Sequence, residues 1–251
     1  MNRLRLALRL PLLMMLLLVG IPLIALVLSL PRRGKNQAPG GEGLHGFAVR
    51  TWSAGMVRTF GFRVRRFGTP LQGAALFVAN HVSWVDITLV HSQLWAGFVS
   101  KAEVERWPVL GPLASLGGTI YHHRGSHDSL SGVMHQMLER LNAGRPVAVF
   151  PEGRATNGEA VGVFHARIFQ PAVLAGVPVQ PMALRYGAGG SAQTVMAFQP
   201  GEHFLANFVR LLGEPSRVAE LHFLEPIQAS EDGRRRMAQA CRQQIVAAMA
   251  R

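Results

Sequence analysis

Apolar and polar positions divide this chain into three stretches. The first is an uncharged run from Leu10 to Leu30, dense in Leu, Met, Val and Ile. As a helix rising about 1.5 Å per residue it reaches roughly 30 Å, the thickness of a bilayer's hydrocarbon core. Pro11 and Pro22 interrupt it, and membrane helices tolerate such kinks. A cleaved signal peptide has a shorter apolar core, about 7–15 residues, followed by a small-residue cleavage site. Here Pro31-Arg32-Arg33-Gly34-Lys35 follows, so the pattern predicts an uncleaved anchor over residues 1–31. Arg3, Arg5 and Arg9 precede the run and Arg32, Arg33 and Lys35 follow it. Positive charge on both flanks leaves its orientation open.

Residues 32–69 carry a second pattern. Pro31 to Gly46 is rich in Gly, Pro and polar residues and reads as a linker. Phe47, Val49, Trp52, Met56, Val57 and Phe60 then recur at near-helical spacing, with Arg50 and Arg58 between them. Such a basic amphipathic helix suits a bilayer interface and suits packing on a domain about equally well. Phe62-Arg63-Val64-Arg65-Arg66 alternates as an edge strand does.

From residue 70 to 251, short apolar runs alternate with helical periodicity. Strands are predicted at 74–79, 97–100, 119–122, 146–150, 177–184 and 219–223. Helices are predicted at 86–95, 107–116, 129–143, 168–175 and 233–250. This alternation predicts an α/β domain with a mostly parallel central sheet flanked by helices. The N-terminal transmembrane or membrane-inserted helix precedes it.

Charge narrows the range of partners. The 26 Lys and Arg against 14 Asp and Glu give a formal charge of +12, which calls for nucleic acid, an anionic membrane surface or an anionic substrate. The arginines are scattered, without a nucleic-acid motif or a zinc-ligand spacing. With the apolar run ahead of them, they point to membrane lipids and away from nucleic acid. The single Cys241 excludes an internal disulfide. It shares a helical stripe with Met237, Ile245 and Met249, a packing position.

Candidate chemistry begins where the first strand ends, at Asn80-His81-Val82-Ser83-Trp84-Val85-Asp86. Histidine takes and returns protons near neutral pH, and a carboxylate partner fixes its tautomer. Positions i and i+5 of an ideal helix lie roughly 140° apart. His81 and Asp86 therefore meet only if His81 sits in the turn and Asp86 in the first turn of the next helix. Asn80 and Ser83 are candidate caps for that helix. The pair alone reads as a structural hydrogen bond or as a triad lacking its serine. A second turn, Phe150-Pro151-Glu152-Gly153-Arg154, also follows a buried strand. Its carboxylate, arginine and backbone amides suit an oxygen-rich anionic head group.

Together the two motifs, about 70 residues apart, resemble the glycerolipid acyltransferase family of the 1-acylglycerol-3-phosphate acyltransferase type. Phe98-Val99-Ser100-Lys101 with Trp107-Pro108-Val109-Leu110-Gly111, the Gly117–Arg124 block, and Val177-Pro178-Val179-Gln180-Pro181 are similar to its other blocks. The resemblance covers about residues 70 to 190. It implies transfer of a fatty acyl group from acyl-CoA or acyl-carrier protein to the hydroxyl of a lysolipid, without metal or organic cofactor. By the same resemblance His81 is the general base and Asp86 orients it, while Asn80, Ser83, Lys101, Arg124, Glu152, Gly153 and Arg154 bind substrate. The missing serine is then supplied as the lipid hydroxyl. Backbone amides near Glu152-Gly153 or after His81 are both open as oxyanion donors.

The acceptor implied first is 1-acyl-sn-glycerol 3-phosphate, giving phosphatidic acid in phospholipid biosynthesis. One departure opens an alternative. The usual Pro-Glu-Gly-Thr-Arg is replaced by Pro-Glu-Gly-Arg-Ala, with Ala155 at the arginine position. The tail Thr156-Asn157-Gly158 is closer to a branch that includes lyso-ornithine lipid acyltransferases. A non-catalytic module for anionic membranes is the alternative of another class. Cytoplasmic acyl donors imply an inner (cytoplasmic) membrane location, with the catalytic domain facing the cytoplasm.

Overall fold

The computed structural model describes residues 3–30, 43–107, 110–122, 127–229 and 233–250. Helix α1 (Arg3–Met15), a π-helical turn (Leu16–Gly20) and α2 (Ile21–Ser29) run on as one apolar helix. Its 26-residue stretch Leu4–Ser29 is long and apolar enough to cross a membrane. The π-turn lies just before Pro22, which lacks the N–H for a regular ladder. Leu16 O instead accepts from Ile21 N and from Trp52 Nε1 at 3.1 Å. Gly20 makes room for that indole, since a Cβ there would lie 2.9 Å from Trp52 Cδ1. Trp52 belongs to α3 (Gly43–Thr59), so the two helices form a hairpin.

The sheet then builds as β1 (Phe62–Phe67), β2 (Leu76–Ala79), α4 (Val85–His91), β3 (Gly97–Lys101), a 3-10 turn (Ala102–Arg106), α5 (Leu110–Gly117) and β4 (Ile120–His122). It continues through α6 (His127–Asn142), β5 (Val147–Val149), α7 (Gln170–Ala175), β6 (Val179–Tyr186), α8 (Gln193–Met196), α9 (Phe204–Leu212), β7 (Arg217–Phe223) and α10 (Gly233–Met249). The seven strands lie in the order β1-β7-β6-β2-β5-β3-β4. Strands β2 to β6 are parallel. β7 runs antiparallel to β6 and parallel to β1. The sheet thus starts at Phe62, ahead of residue 70, and β1 is an edge strand whose Arg63, Arg65 and Arg66 are exposed. Helices α8 and α9 have no counterpart in the predicted elements: α8 spans only four residues, while α9, FLANFVRLL, carries an apolar stripe at helical spacing that belongs with the predicted helices.

Alternation along β2 separates two cores. Phe77 and Ala79 face α3, α4 and α9, while Leu76 and Val78 face α6, α7 and α10. Both faces are covered, so β2 is apolar throughout. Cys241 packs in the second core. The helix after β2 and the helix after β5 lie on opposite faces of neighbouring strands. Open α/β sheets bind their ligands in such a crevice, at the strands' carboxyl ends.

The apolar helix does not leave the domain. α1 touches α9, and α2 touches α5. Leu13 is buried in the first core with Met56, Val57 and Phe60. Arg9, which reads as a flanking membrane charge, instead donates to Leu212 O at 2.8 Å, Glu214 O at 2.7 Å and Ser216 Oγ at 3.2 Å. Those carbonyls lie at the end of α9, where a helix presents unpaired acceptors. Gly61 packs against the guanidinium, leaving no space for a side chain. Arg9→Met keeps the apolar stem and removes these bonds. It should lower stability by about 2–4 kcal/mol and expose the 3–30 helix to limited proteolysis. Unchanged unfolding and cleavage would contradict the docking role.

Candidate active site

Strand register brings the two motifs together. Val78 pairs with Val149, so the chain leaves β2 and β5 side by side, and Asn80–His81 meets Phe150–Glu152. The His81 ring stacks on Phe150 with centroids 4.0 Å apart. His81 N donates to Glu152 Oε1 at 2.8 Å. His81 O accepts from Thr156 N at 2.8 Å and from Thr156 Oγ1 at 3.1 Å. The histidine is therefore held by its ring, its amide and its carbonyl.

Asp86 sits in the first turn of α4, as the i, i+5 spacing requires, and is fully buried. Its Oδ2 accepts from His81 Nδ1 at 2.8 Å, Val82 N at 2.7 Å and Ser83 N at 2.9 Å. Its Oδ1 accepts from Tyr186 Oη at 2.5 Å. An ionised carboxylate only accepts, so Nδ1 carries the proton and Nε2 is left basic. Nε2 makes no hydrogen bond among the described residues, and the ring keeps 17% side-chain exposure. This arrangement can remove a proton from a bound group.

Of the two expected caps, Asn80 is corrected. Trp84, the residue at the cap position of α4, makes no side-chain cap bond. Ser83 keeps a long capping contact, its Oγ accepting from Val85 N at 3.5 Å, while the Asp86 carboxylate turns back onto the Val82 and Ser83 amides of the preceding turn. Asn80 bridges to β6 instead, accepting from Leu184 N at 2.8 Å and donating to Leu184 O at 3.0 Å. Ser83 is fully buried beside it. Glu152 is buried too, accepting from His81 N and from Gly162 N at 2.8 Å. Burial raises its carboxyl above the usual range, against the two amides that lower it. Gly153 takes φ 72°, which its missing Cβ permits. Arg154 is exposed in the same turn, and Lys101 is exposed at the end of β3. Arg124 lies outside the described residues. Cys241 is no rival nucleophile: burial pushes its thiol up to about 12.

Thr156, Tyr186 and Gly162 complete this cluster without having stood out in the sequence. Only Thr156 carried a signal, by following the Pro-Glu-Gly turn.

The comparisons agree with this geometry. Residues 62–185 match the family model Acyltransferase. A lyso-ornithine lipid O-acyltransferase of Pseudomonas aeruginosa is 37% identical over 98% of this chain and 93% of its own length. The chain belongs to the acyltransferase family. Within it, a 1-acyl-sn-glycerol-3-phosphate acyltransferase of Neisseria gonorrhoeae is 36% identical over 50% of this chain and 49% of its own length. Among solved structures, the acyltransferase PlsC from Thermotoga maritima superposes with TM-score 0.69 at 19% identity, covering 95% of this chain and 91% of that one. That likeness supports the fold, with its mostly parallel seven-stranded sheet. The chain is thus an acyltransferase acting on a lysolipid.

An aromatic wall supports the turn between His81 and Asp86. Trp84 packs on Phe60, Phe204 and Phe208 and donates to Asn207 Oδ1 at 3.0 Å. Asn207 in turn donates to Glu202 Oε2 at 2.8 Å. Arg210 forks onto Glu202 at 2.7 and 2.9 Å and lowers its carboxyl to about 2. A depressed carboxylate stabilises the fold above its unfolded value, about 4.5, and loses that contribution as pH falls toward 2. The difference in Tm between wild type and Glu202→Gln should therefore narrow as pH falls from about 5 to about 3. Parallel curves across that window would contradict this coupling.

Proposed function

We propose that this acyltransferase is membrane-bound and acylates lyso-ornithine lipid, with acyl-CoA or acyl-carrier protein as donor. The observation that carries the chemistry is the His81–Asp86 pair, whose Nε2 bonds no serine or cysteine among the described residues. The acceptor's hydroxyl supplies the nucleophile. His81 Nε2 takes its proton as the oxygen attacks the thioester carbonyl, and Asp86 stabilises the imidazolium. Collapse of the tetrahedral adduct expels the thiolate, which His81 protonates. Ester and free thiol leave, and the enzyme returns to its starting state. The Val82 and Ser83 amides are occupied by Asp86, and Gly153 N by Phe150 O. The amides of Arg154 and Ala155 are the remaining donors of that turn for the oxyanion.

Two observations support lyso-ornithine lipid over 1-acylglycerol 3-phosphate. The relative that matches over nearly its whole length carries that name. A cavity of about 180 Å³, lined by Asn80 and Val82 on either side of His81 in sequence and by Glu159, has no cationic side chain among the described residues of its lining. An ornithine ammonium suits this wall better than a phosphate does. Membrane attachment rests on the exposed apolar face of the hairpin, where Leu8, Leu12, Leu18, Leu23, Leu26 and Phe47 lack cover. Because Arg9 ties the helix along the domain, the proposed attachment has the hairpin lying in one leaflet rather than carrying the domain on a free-standing span, and cytoplasmic acyl donors support the cytoplasmic leaflet of the inner membrane.

A purified-protein assay with one acyl-CoA and a panel of lysolipids tests the acceptor. kcat/KM should favour lyso-ornithine lipid over 1-acylglycerol 3-phosphate by at least about tenfold; the reverse order would transfer the assignment to phosphatidic acid synthesis. His81→Ala should lower kcat by about 10²–10⁴ with folding intact.

A further inference from the structure

Asp86 is the most heavily bonded side chain of the site, and one of its partners comes from the far end of the motif order. Tyr186 closes β6, 100 residues beyond Asp86, and is fully buried. β6 outruns its neighbour β2, which ends at Ala79 opposite Met182. The Asn80 amide continues the ladder by bonding both Leu184 N and Leu184 O. Gln193 then accepts from Tyr186 N at 2.7 Å and donates to Leu184 O at 3.0 Å. These clamps deliver the phenol to Asp86 Oδ1, while Phe62 packs on its ring.

We infer that Tyr186 is a positioning residue for acyl transfer: its phenol fixes the Asp86 carboxylate so that Oδ2 stays aimed at His81 Nδ1. A carboxylate held only through Oδ2 can rotate about its last bond. A short, charge-assisted bond to the other oxygen removes that freedom. Burial, and then the Asp86 charge, push the phenol well above its usual range, so it remains a donor throughout turnover. The cluster is therefore a relay of base, carboxylate and phenol, and Asn80 acts through it by setting the end of β6. This rests on the His81–Asp86 chemistry proposed above.

The test is steady-state kinetics of Tyr186→Phe, Asp86→Asn, the double variant and His81→Ala, with palmitoyl-CoA and whichever lysolipid the panel shows to be turned over. Tyr186→Phe should lower kcat about 5- to 20-fold and leave both KM values within about twofold. In the Asp86→Asn background the same change should cost less than about twofold, because the phenol has lost its carboxylate. An undiminished kcat, or an equal loss in both backgrounds, overturns the inference while the dyad stands. Wild-type kcat in His81→Ala and Asp86→Asn would instead overturn the dyad, and the inference with it. If Tyr186→Phe fails to fold, a fluorine label decides. The chain has two tyrosines, so Tyr121→Phe protein grown on 3-fluorotyrosine reports Tyr186 alone. Its resonance should move in Asp86→Asn, and an unmoved resonance overturns the inference.

Discussion

The site depends on one buried carboxylate. Asp86 accepts four hydrogen bonds, from a histidine, two backbone amides and a phenol. An ion this deep is tolerable only when every lone pair is used. Those partners come from the turn after β2 and the end of β6, while Asp86 itself sits in the first turn of α4, so satisfying it requires the sheet and α4 to be in register. Fold and chemistry share this constraint. A shift of one residue in β2 would turn Phe77 and Ala79 into the opposite core and carry His81 away from both Glu152 and Asp86.

His81 is correspondingly immobile. Phe150, Glu152 and Thr156 hold it from β5's side, and Asp86 from its own. In the proposed base role of His81, much of the catalysis is orientation before the reaction begins. Glu152 contributes here by bonding two amides, those of His81 and Gly162. The family-level expectation that it binds substrate therefore sits beside a role the geometry displays directly, the tying of one motif to the other. Arg9 joins the apolar hairpin to the domain and Trp52 joins its two arms; under the proposed membrane attachment, this join sets the site's height and tilt relative to the bilayer surface.

What the sequence made legible was local or periodic. The uncharged N-terminal run, the apolar strands at Leu76–Ala79 and Val147–Val149, and the basic edge strand at Phe62–Phe67 each carry their own period. The His81–Asp86 contact was legible because turn geometry alone allows an i, i+5 pair to meet. Tyr186, Asn80's partner Leu184 and the Arg9 contacts are pairings across 100 residues or more. They arise from strand register and helix docking, which no local pattern encodes. Asn80 looked like a cap for a related reason: its residue type suits one, yet its amide bonds Leu184 of β6, whereas Ser83 does reach Val85 N at the start of α4. The reversal of β7 against β6 was likewise hidden, since a buried strand looks the same in either direction.

The central claim is that the nucleophile arrives with the acceptor and the protein never becomes acylated. Initial rates measured while varying donor and lysolipid concentrations together test this directly. The account predicts intersecting double-reciprocal lines, as a ternary complex requires. Parallel lines with a burst of free thiol before acceptor is added would show an acyl-enzyme and contradict it.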